Sequence, residues 1–321
     1  MSLVQKVTPS DQPEFLSFIT PAYNAASTVG DAVDSIFHQN LDMPFEVVVF
    51  DDASTDNTRE ALRALEQAHP NLITVGRNGR NLGGGATRNR AIARAKGDLI
   101  YMLDADNVLP PDTVRPQLEL MAATGRHCVS VSRLDLFSTS PDSVVGTWEM
   151  MHADGISGLR ELMAHVRVPA SHGNYLFTRE LFDATGGYEE KRSGSDAWTF
   201  GMKHVARGFD VAVAPGTSYF HRLGSDSYWM REELRGSNDE QAVTSLREMI
   251  DFFPPDVREK VACLRPGDPV FYYLTRGDLT PTGELPGFVR RTGVRTRRKL
   301  SFAARRFAQR VPRPSGRRPA T

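Results

Sequence analysis

Four short apolar runs constrain the first third of the chain more than any other feature. They are FLSFIT (15–20), FEVVVF (45–50), LITVG (72–76) and LIYMLD (99–104). Each is too short for a helix but long enough for a strand. FEVVVF shows no apolar/polar alternation, and a continuous β-branched and aromatic run belongs to a strand covered on both faces. Between the runs the apolar residues return at helical spacing. Val29, Ala32, Val33, Ile36 and Phe37 follow the first run. Ala61, Leu62 and Leu65 follow the second, with Ser54 and Thr55 as candidate caps. NLGGGATRNRAIARAKG then predicts a flexible turn and a helix stopped by Gly97 at C′. Alternation of this kind predicts βαβ crossovers, and therefore an α/β fold with a mostly parallel central sheet and helices on both faces.

The pattern continues less clearly. HCVSVSRLDLF (127–137) predicts a fifth strand, and 140–175 reads as loop-rich with a helix near 156–166. A helix over 195–207, carrying Trp198, Met202, Val205 and Ala206, is closed by Gly208. FDVAVAP (209–215) reads as a strand, 228–262 as helical and 266–287 as extended. The expected organisation is a lead-in over 1–14 and an α/β domain over 15–225, its halves meeting near 125/126. A helical extension over 226–287 and a basic tail over 288–321 follow.

Charge supports that division. The chain has 39 basic and 39 acidic residues, yet 288–321 holds 12 of the basic and none of the acidic ones, leaving a net charge of −12 on the rest. Leu300, Ala303, Ala304, Phe307 and Val311 recur at helical spacing within the tail. That composition fits an interfacial helix on anionic lipid and a solvated basic tail alike. Nucleic acid is disfavoured, since the body is acidic and no recognition motif accompanies the charge. Cys128 and Cys263 are the only cysteines, which excludes a disulfide framework and a Cys-rich zinc site. No run approaches the roughly 20 apolar residues of a membrane span. MSLVQKVTPSDQPE also lacks the apolar centre of a secretory leader. The expected location is cytoplasmic, with peripheral contact at the inner membrane face if the tail binds lipid.

In open α/β sheets ligands bind at the carboxyl ends of the strands. Here those ends carry Pro21-Ala22-Tyr23-Asn24, Asp51-Asp52 and Asp104-Ala105-Asp106. Carboxylates at that density repel one another unless a cation sits between them. Hard oxygen ligands suit Mg²⁺ or Mn²⁺, which bind through one or two carboxylates plus substrate phosphates.

TPAYNAAS, VVVFDDASTDNT, NLGGGATRNRAIARAKGDLIYMLDAD and the later TGGYEE…SD together resemble the family 2 glycosyltransferases of the GT-A fold, over roughly residues 15–225. The resemblance implies that Asp104 and Asp106 form the DxD motif that holds a divalent cation on the donor diphosphate, with Asp106 the direct ligand. It implies that Asp51 or Asp52 faces the nucleoside base, that Pro21, Ala22 and Tyr23 line that pocket, and that Arg88 runs beside the nucleotide. Ala105 belongs to the same nucleotide-sugar site. Asp196 matches the acidic pair before a late helix, although Ser195 stands where the family has Glu; it is the candidate general base. His221, after a strand, matches a position that supplies a third metal or diphosphate contact. His172 and Asn174 are weaker candidates for sugar contacts. The implied donor is a nucleoside-diphosphate sugar, with UDP favoured, and the acceptor a hydroxyl on a lipid-linked or small molecule. One base and no enzymic nucleophile imply a single displacement that inverts the anomeric centre.

Two other classes compete. Asp104-Ala105-Asp106-Asn107-Val108 fits the DxDxV pattern of haloacid-dehalogenase-like phosphatases, but three βα units precede it here. A non-catalytic nucleotide-sugar binding module would be suspected if Asp106 or Asp196 were missing. A sugar nucleotidyltransferase would want a Gly-rich basic loop where PAYNAAST stands. A processive synthase is disfavoured, since no QxxRW-like motif is present.

Overall fold

In the computed structural model, which describes residues 15–149, 172–190, 196–223, 237–248, 250–252 and 255–265, the apolar runs become strands. The first half reads β1 (Leu16–Ala22), α1 (Val29–Phe37), β2 (Phe45–Asp51), α2 (Thr58–Ala68), β3 (Ile73–Arg77), α3 (Gly84–Arg94) and β4 (Leu99–Met102). The second half adds α4 (Arg115–Thr124), β5 (Cys128–Phe137), β6 (Val144–Glu149), β7 (Leu176–Thr178), α5 (Arg179–Thr185), α6 (Asp196–Ala206) and β8 (Ala212–Arg222). Beyond it lie α7 (Ser237–Glu248), a 3-10 turn (Ile250–Phe252) and α8 (Pro255–Cys263).

The strands form one sheet in the order β3-β2-β1-β4-β7-β5-β6, with β8 paired to β5. β1 to β4 are mutually parallel, and β8 runs parallel to β5. β7 is antiparallel to β4 and β5, and β6 is antiparallel to β5. The sheet is therefore mainly parallel, as the alternation predicts. β2 and β4 flank β1 on opposite sides, so the chain reverses direction across the sheet at β1. In open α/β sheets such a reversal is where ligands bind, outside the carboxyl ends of the strands.

Alternating side chains give the sheet two buried faces. Leu16 and Phe18 pack with Val47, Val49, four residues of α1 (Val29, Ala32, Val33, Ile36) and Leu62 of α2. Ile19, Val48, Ile100 and Met102 face the other layer, with Ala91 and Ile92 of α3, Leu181 of α5 and Phe200 of α6. Each Val, Leu, Ile, Phe or Met among them contributes about 1.5–3 kcal/mol on leaving water.

Several local expectations change. Gly97 is not a left-handed helix stop. α3 ends at Ala95 in extended conformation (φ −72°, ψ 143°), and Gly97 is needed because a Cβ there would lie 2.5 Å from the Phe15 carbonyl oxygen and 2.7 Å from Ser17 Oγ. Ser54 and Thr55 do not cap α2, which starts after Asn57; the Thr58 N–H instead donates to Asp56 Oδ1 at 3.0 Å. β6 arises within the stretch read as loop. β8 starts at Ala212 and runs on to Arg222, so His221 lies inside the strand rather than after it. Gly208, at φ +82°, does follow α6 as expected. The expected helix near 156–166, the segment 266–287 and the basic tail lie outside the described residues. Among the described residues no helix is long and apolar enough to cross a membrane.

Candidate functional site

The end of β1 is built as an open platform. Tyr23 follows the strand and is 46% exposed, while Ala22 before it is buried. Asn24 adopts φ +51°, a conformation its short polar side chain tolerates. Its N–H donates to Ser54 Oγ at 2.9 Å and its Oδ1 accepts the Thr55 N–H at 2.9 Å. Ser54 and Thr55 thus lace the β1 loop to the β2 loop.

Asp51 and Asp52 have internal partners. Asp51 Oδ1 accepts the Ser54 N–H and its Oδ2 accepts from Arg77 Nε, each at 2.9 Å. Asp52, 3% exposed, accepts the N–H groups of Leu82 and Gly83 and the amide of Asn78, all at 2.8 Å. Asn78 also donates to Thr87 Oγ1 at 3.0 Å. Asp52 therefore fixes the turn that launches α3. The three glycines of that turn are not merely flexible: Gly83 sits at φ +91°, and a Cβ on Gly84 would lie 2.5 Å from Arg88 Nη1.

Arg88 is buried and joins two distant carboxylates. Its Nη2 donates to Asp104 Oδ1 at 2.6 Å, and its Nη1 pairs with Asp196 Oδ2. Burial opposes the charge, but Asp196 and then Asp104 outweigh it and hold the guanidinium protonated well above its ordinary range. Asp196 opens α6 and is 7% exposed. Asp104 is held from a second side, where its N–H donates to Asn174 Oδ1 at 2.6 Å. Gly173 lies against its carboxylate, where any Cβ would strike Oδ2.

Asp106 and His221 both lie within reach of the Asp104 charge. Val108 and Phe220 exchange backbone hydrogen bonds of 3.1 and 2.8 Å, which draws the DxD loop onto β8. Arg222 tightens that seam. Its N–H donates to Asn107 Oδ1 at 3.1 Å, its Nε to the Asp106 carbonyl at 3.0 Å and its Nη2 to Asp31 Oδ2 at 3.0 Å. Burial, then the Asp104 charge, pushes the Asp106 carboxyl up to about 6, against the pull of Arg222 and Arg88. Burial lowers His221, and its Nδ1 is enclosed with no hydrogen-bond partner among the described residues. His172 Nε2 meets Ser130 Oγ at 2.9 Å while its Nδ1 accepts the Asn174 N–H at 3.4 Å, which places the proton on Nε2. Burial and the neighbouring His221 lower it to about 3.

Whether these residues suit a divalent cation follows from the donor set. Asp106 enters no ion pair among the described residues, its raised carboxyl gains from a nearby positive charge, and His221 offers an unshared nitrogen. Those groups fit. Asp104 is less available, because Oδ1 is turned to Arg88. Among the described residues no three His, Cys, Asp or Glu are grouped to hold a metal by themselves. Asp104, Asp106 and His221 are therefore not a closed three-ligand cage, and a cation there needs oxygen atoms from a bound phosphate to complete its shell.

Sequence reasoning missed Asn78, Asn107 and Gly173. Each acts on backbone or at close range, and only the glycine beside His172 carried a hint in the sequence. Arg88, expected beside the nucleotide, shares the helix face of Gly84, Gly85, Ala91 and Ile92, the last three of them buried.

The model of a family described as Glycosyl transferase family 2 matches residues 17–183. Succinoglycan biosynthesis protein ExoO of Rhizobium meliloti is 35% identical over 228 residues, covering 68% of this chain and 63% of that protein. The chain thus spans less than two thirds of that relative. Among solved structures, the mannosyltransferase PcManGT from Pyrobaculum calidifontis, in complex with GDP-Man and Mn²⁺, superposes with a TM-score of 0.57 at 22% identity, covering 95% of this chain and 82% of that one. Residues 1–349 of S. aureus TarS in complex with UDP-GlcNAc give 0.55 at 16% identity, covering 90% and 91%. These likenesses show a shared GT-A fold.

Proposed function

The chain belongs to glycosyl transferase family 2, and on that premise we propose that it is a transferase that moves one sugar from a nucleoside-diphosphate donor to a hydroxyl acceptor by single displacement, with inversion. The observation that carries this reading is the joining of Asp104 and Asp196 on one buried guanidinium. It sets the end of the donor-side strand β4 beside the first residue of α6, which is where a donor diphosphate and an acceptor must meet.

In this reading Tyr23, with Pro21 and Ala22, forms the surface under the base, and Asp51 and Asp52 hold its floor and the turn into α3. Asp106 with Asp104, and His221 on β8, would hold a divalent cation, Mn²⁺ or Mg²⁺, together with the diphosphate. When bound, that ion neutralises charge on the leaving diphosphate. Asp196 Oδ2 is held by Arg88, so Oδ1 is the oxygen that accepts the acceptor proton. The acceptor oxygen forms its bond to the anomeric carbon as the carbon–oxygen bond to the diphosphate breaks. The nucleoside diphosphate leaves with the electron pair, and the proton passes to Asp196. The solved relatives carry UDP-GlcNAc in one case and GDP-Man in another, so the donor base is the open variable.

The phosphatase reading does not stand. Family membership opposes it, and Asp104, the residue that would have to attack, is tied by Arg88 and Asn174 after the fourth strand of the chain. The α/β body over 15–225, with α7 and α8 as part of a separate extension, is the division we propose. A membrane role for the tail stays a proposal of composition alone. The proposal is tested by incubating the protein with UDP-GlcNAc and GDP-Man, each with Mn²⁺ or with EDTA. Metal-dependent release of a nucleoside diphosphate is expected, and release indifferent to EDTA would contradict the metal assignment.

A further inference from the structure

Arg88 carries more than a nucleotide contact would require. Its side chain is 11% exposed, lies one turn into α3 and meets carboxylates from two different parts of the chain, Asp104 after β4 and Asp196 at the start of α6. Each carboxylate takes a different Nη. The planar fork suits that task, whereas an ammonium group is a single point charge on a flexible stem. The surroundings are cut to the guanidinium. A Cβ on Gly84 would lie 2.5 Å from Nη1 and 2.9 Å from Asp196 Oδ2, and the Tyr188 ring lies 5.5 Å from the guanidinium carbon. The next residue serves the same seam, as Asn89 Nδ2 donates to the Tyr188 carbonyl and Asn89 Oδ1 accepts the Tyr188 N–H, both at 2.9 Å. One cation faces two anions, the buried Asp196 and the partly exposed Asp104. Turning it towards a diphosphate would leave a buried carboxylate uncompensated, which is strongly unfavourable.

We infer that Arg88 is a positioning residue: it fixes Asp196 for the acceptor and Asp104 for the donor in one rigid triad and does not itself bind the diphosphate. The inference rests on the reading of Asp104 as donor-side and Asp196 as base. Its consequence is a specific kinetic split. Loss of the fork leaves donor affinity in place and removes turnover.

The test measures hydrolysis of UDP-GlcNAc and GDP-Man with Mn²⁺, water serving as acceptor, in the full chain and in Arg88→Lys and Arg88→Gln. The wild-type assay comes first. If it releases no nucleoside diphosphate from either donor, the reading of the site falls and this inference with it, before any variant is made. Given wild-type turnover, the expected result is a donor KM within about threefold of wild type and a kcat lower by roughly 100-fold, the usual scale for a displaced catalytic group. Lys should do no better than Gln. A KM raised by about tenfold with kcat preserved would show Arg88 on the diphosphate and overturn the inference. Should Arg88→Gln fold poorly, Arg88→Gln combined with Asp196→Asn removes the more buried of the two charges left uncompensated. Its kcat should fall no further than that of Asp196→Asn alone, and additive losses would contradict the shared triad.

Discussion

Asn174 accepts the backbone N–H of Asp104 through Oδ1 at 2.6 Å, so the residue that sets the DxD motif in place lies 70 positions further along the chain. Asn174 is 1% exposed and directly precedes the core residues Tyr175 and Leu176. The antiparallel strand β7 thus delivers a polar fixing point to the end of a parallel strand. Gly173 beside it is as necessary, because a Cβ there meets Asp104 Oδ2. Gly173→Ala should displace the Asp104 carboxylate while leaving the β4–β7 pairing intact. We expect nucleotide-dependent stabilisation by Mn²⁺ to weaken by about tenfold in affinity, at a stability cost near 1 kcal/mol. Isothermal titration with UDP or GDP checks this, and unchanged affinity would show that Asp104 does not contact the donor site.

Asp52 gives a prediction about stability rather than chemistry. Its carboxylate accepts two N–H groups from the turn before α3 and one from Asn78. Asp52→Asn replaces one acceptor oxygen with an NH₂ that faces donors. A buried donor left without a partner costs about 1–3 kcal/mol. Urea denaturation should show a loss of that size. A loss below about 0.5 kcal/mol, the range of a neutral surface change, would mean the turn is held by other means.

The imidazoles predict an acid limit. His204 is fully buried between Tyr175 and Phe200 with neither ring nitrogen hydrogen-bonded among the described residues. Burial lowers it to about 3, as it does His172. In the unfolded chain both protonate near 6.5. The unfolded state therefore gains protons first as pH falls. The stability from these two rings is complete above pH 6.5 and is lost progressively towards pH 3. Asp106 opposes this in part. Its folded carboxyl, at about 6, takes up a proton before the unfolded one does, which adds stability as pH falls through 6 towards 4. We expect the melting temperature to fall between pH 7 and pH 4.5 and the fall to be shallower in His204→Phe. An identical slope in that variant would show that His204 is not held neutral.

Asp196→Asn separates the two halves of the reaction. The substitution keeps the shape of the side chain and weakens its pairing with Arg88, while abolishing its capacity as a base. Nucleotide binding should persist, and turnover should fall by about 100-fold or more. Turnover near the wild-type rate would assign the base elsewhere.

The fold was legible where physics acts locally. β1 to β4 and α1 to α3 follow from apolar runs and helical spacing, because each element buries the face its own sequence defines. Gly97 was misread because a glycine after a helix fits both a left-handed stop and a close approach, and only the Phe15 carbonyl decides between them. β6 was missed because its residues are mostly exposed, and an edge strand paired on one side carries no apolar pattern. The site was legible in its carboxylates, which stand out at strand ends. Arg88 was legible as a site residue but its partners were not, since its segment GATRNRAIAR is spelled like a solvated helix. The charges that draw its guanidinium inward come from residues 16 and 108 positions away. Asp51 and Asp52 show the converse, since an acidic pair at a strand end also serves to tie neighbouring loops.

In the proposed function a nucleoside diphosphate and a divalent cation share the site at Asp104 and Asp106. The most direct measurement is the melting temperature of the wild-type chain and of Asp106→Asn with UDP, GDP, dTDP and CDP, each with and without Mn²⁺. A ligand that binds only the folded state raises the melting point by mass action, by about 2.7 kcal/mol of stability at a hundred times its Kd. We expect a rise of several degrees with one nucleoside diphosphate, only when Mn²⁺ is present, and no rise in Asp106→Asn. No rise with any of the four, or an equal rise in the variant, would contradict it.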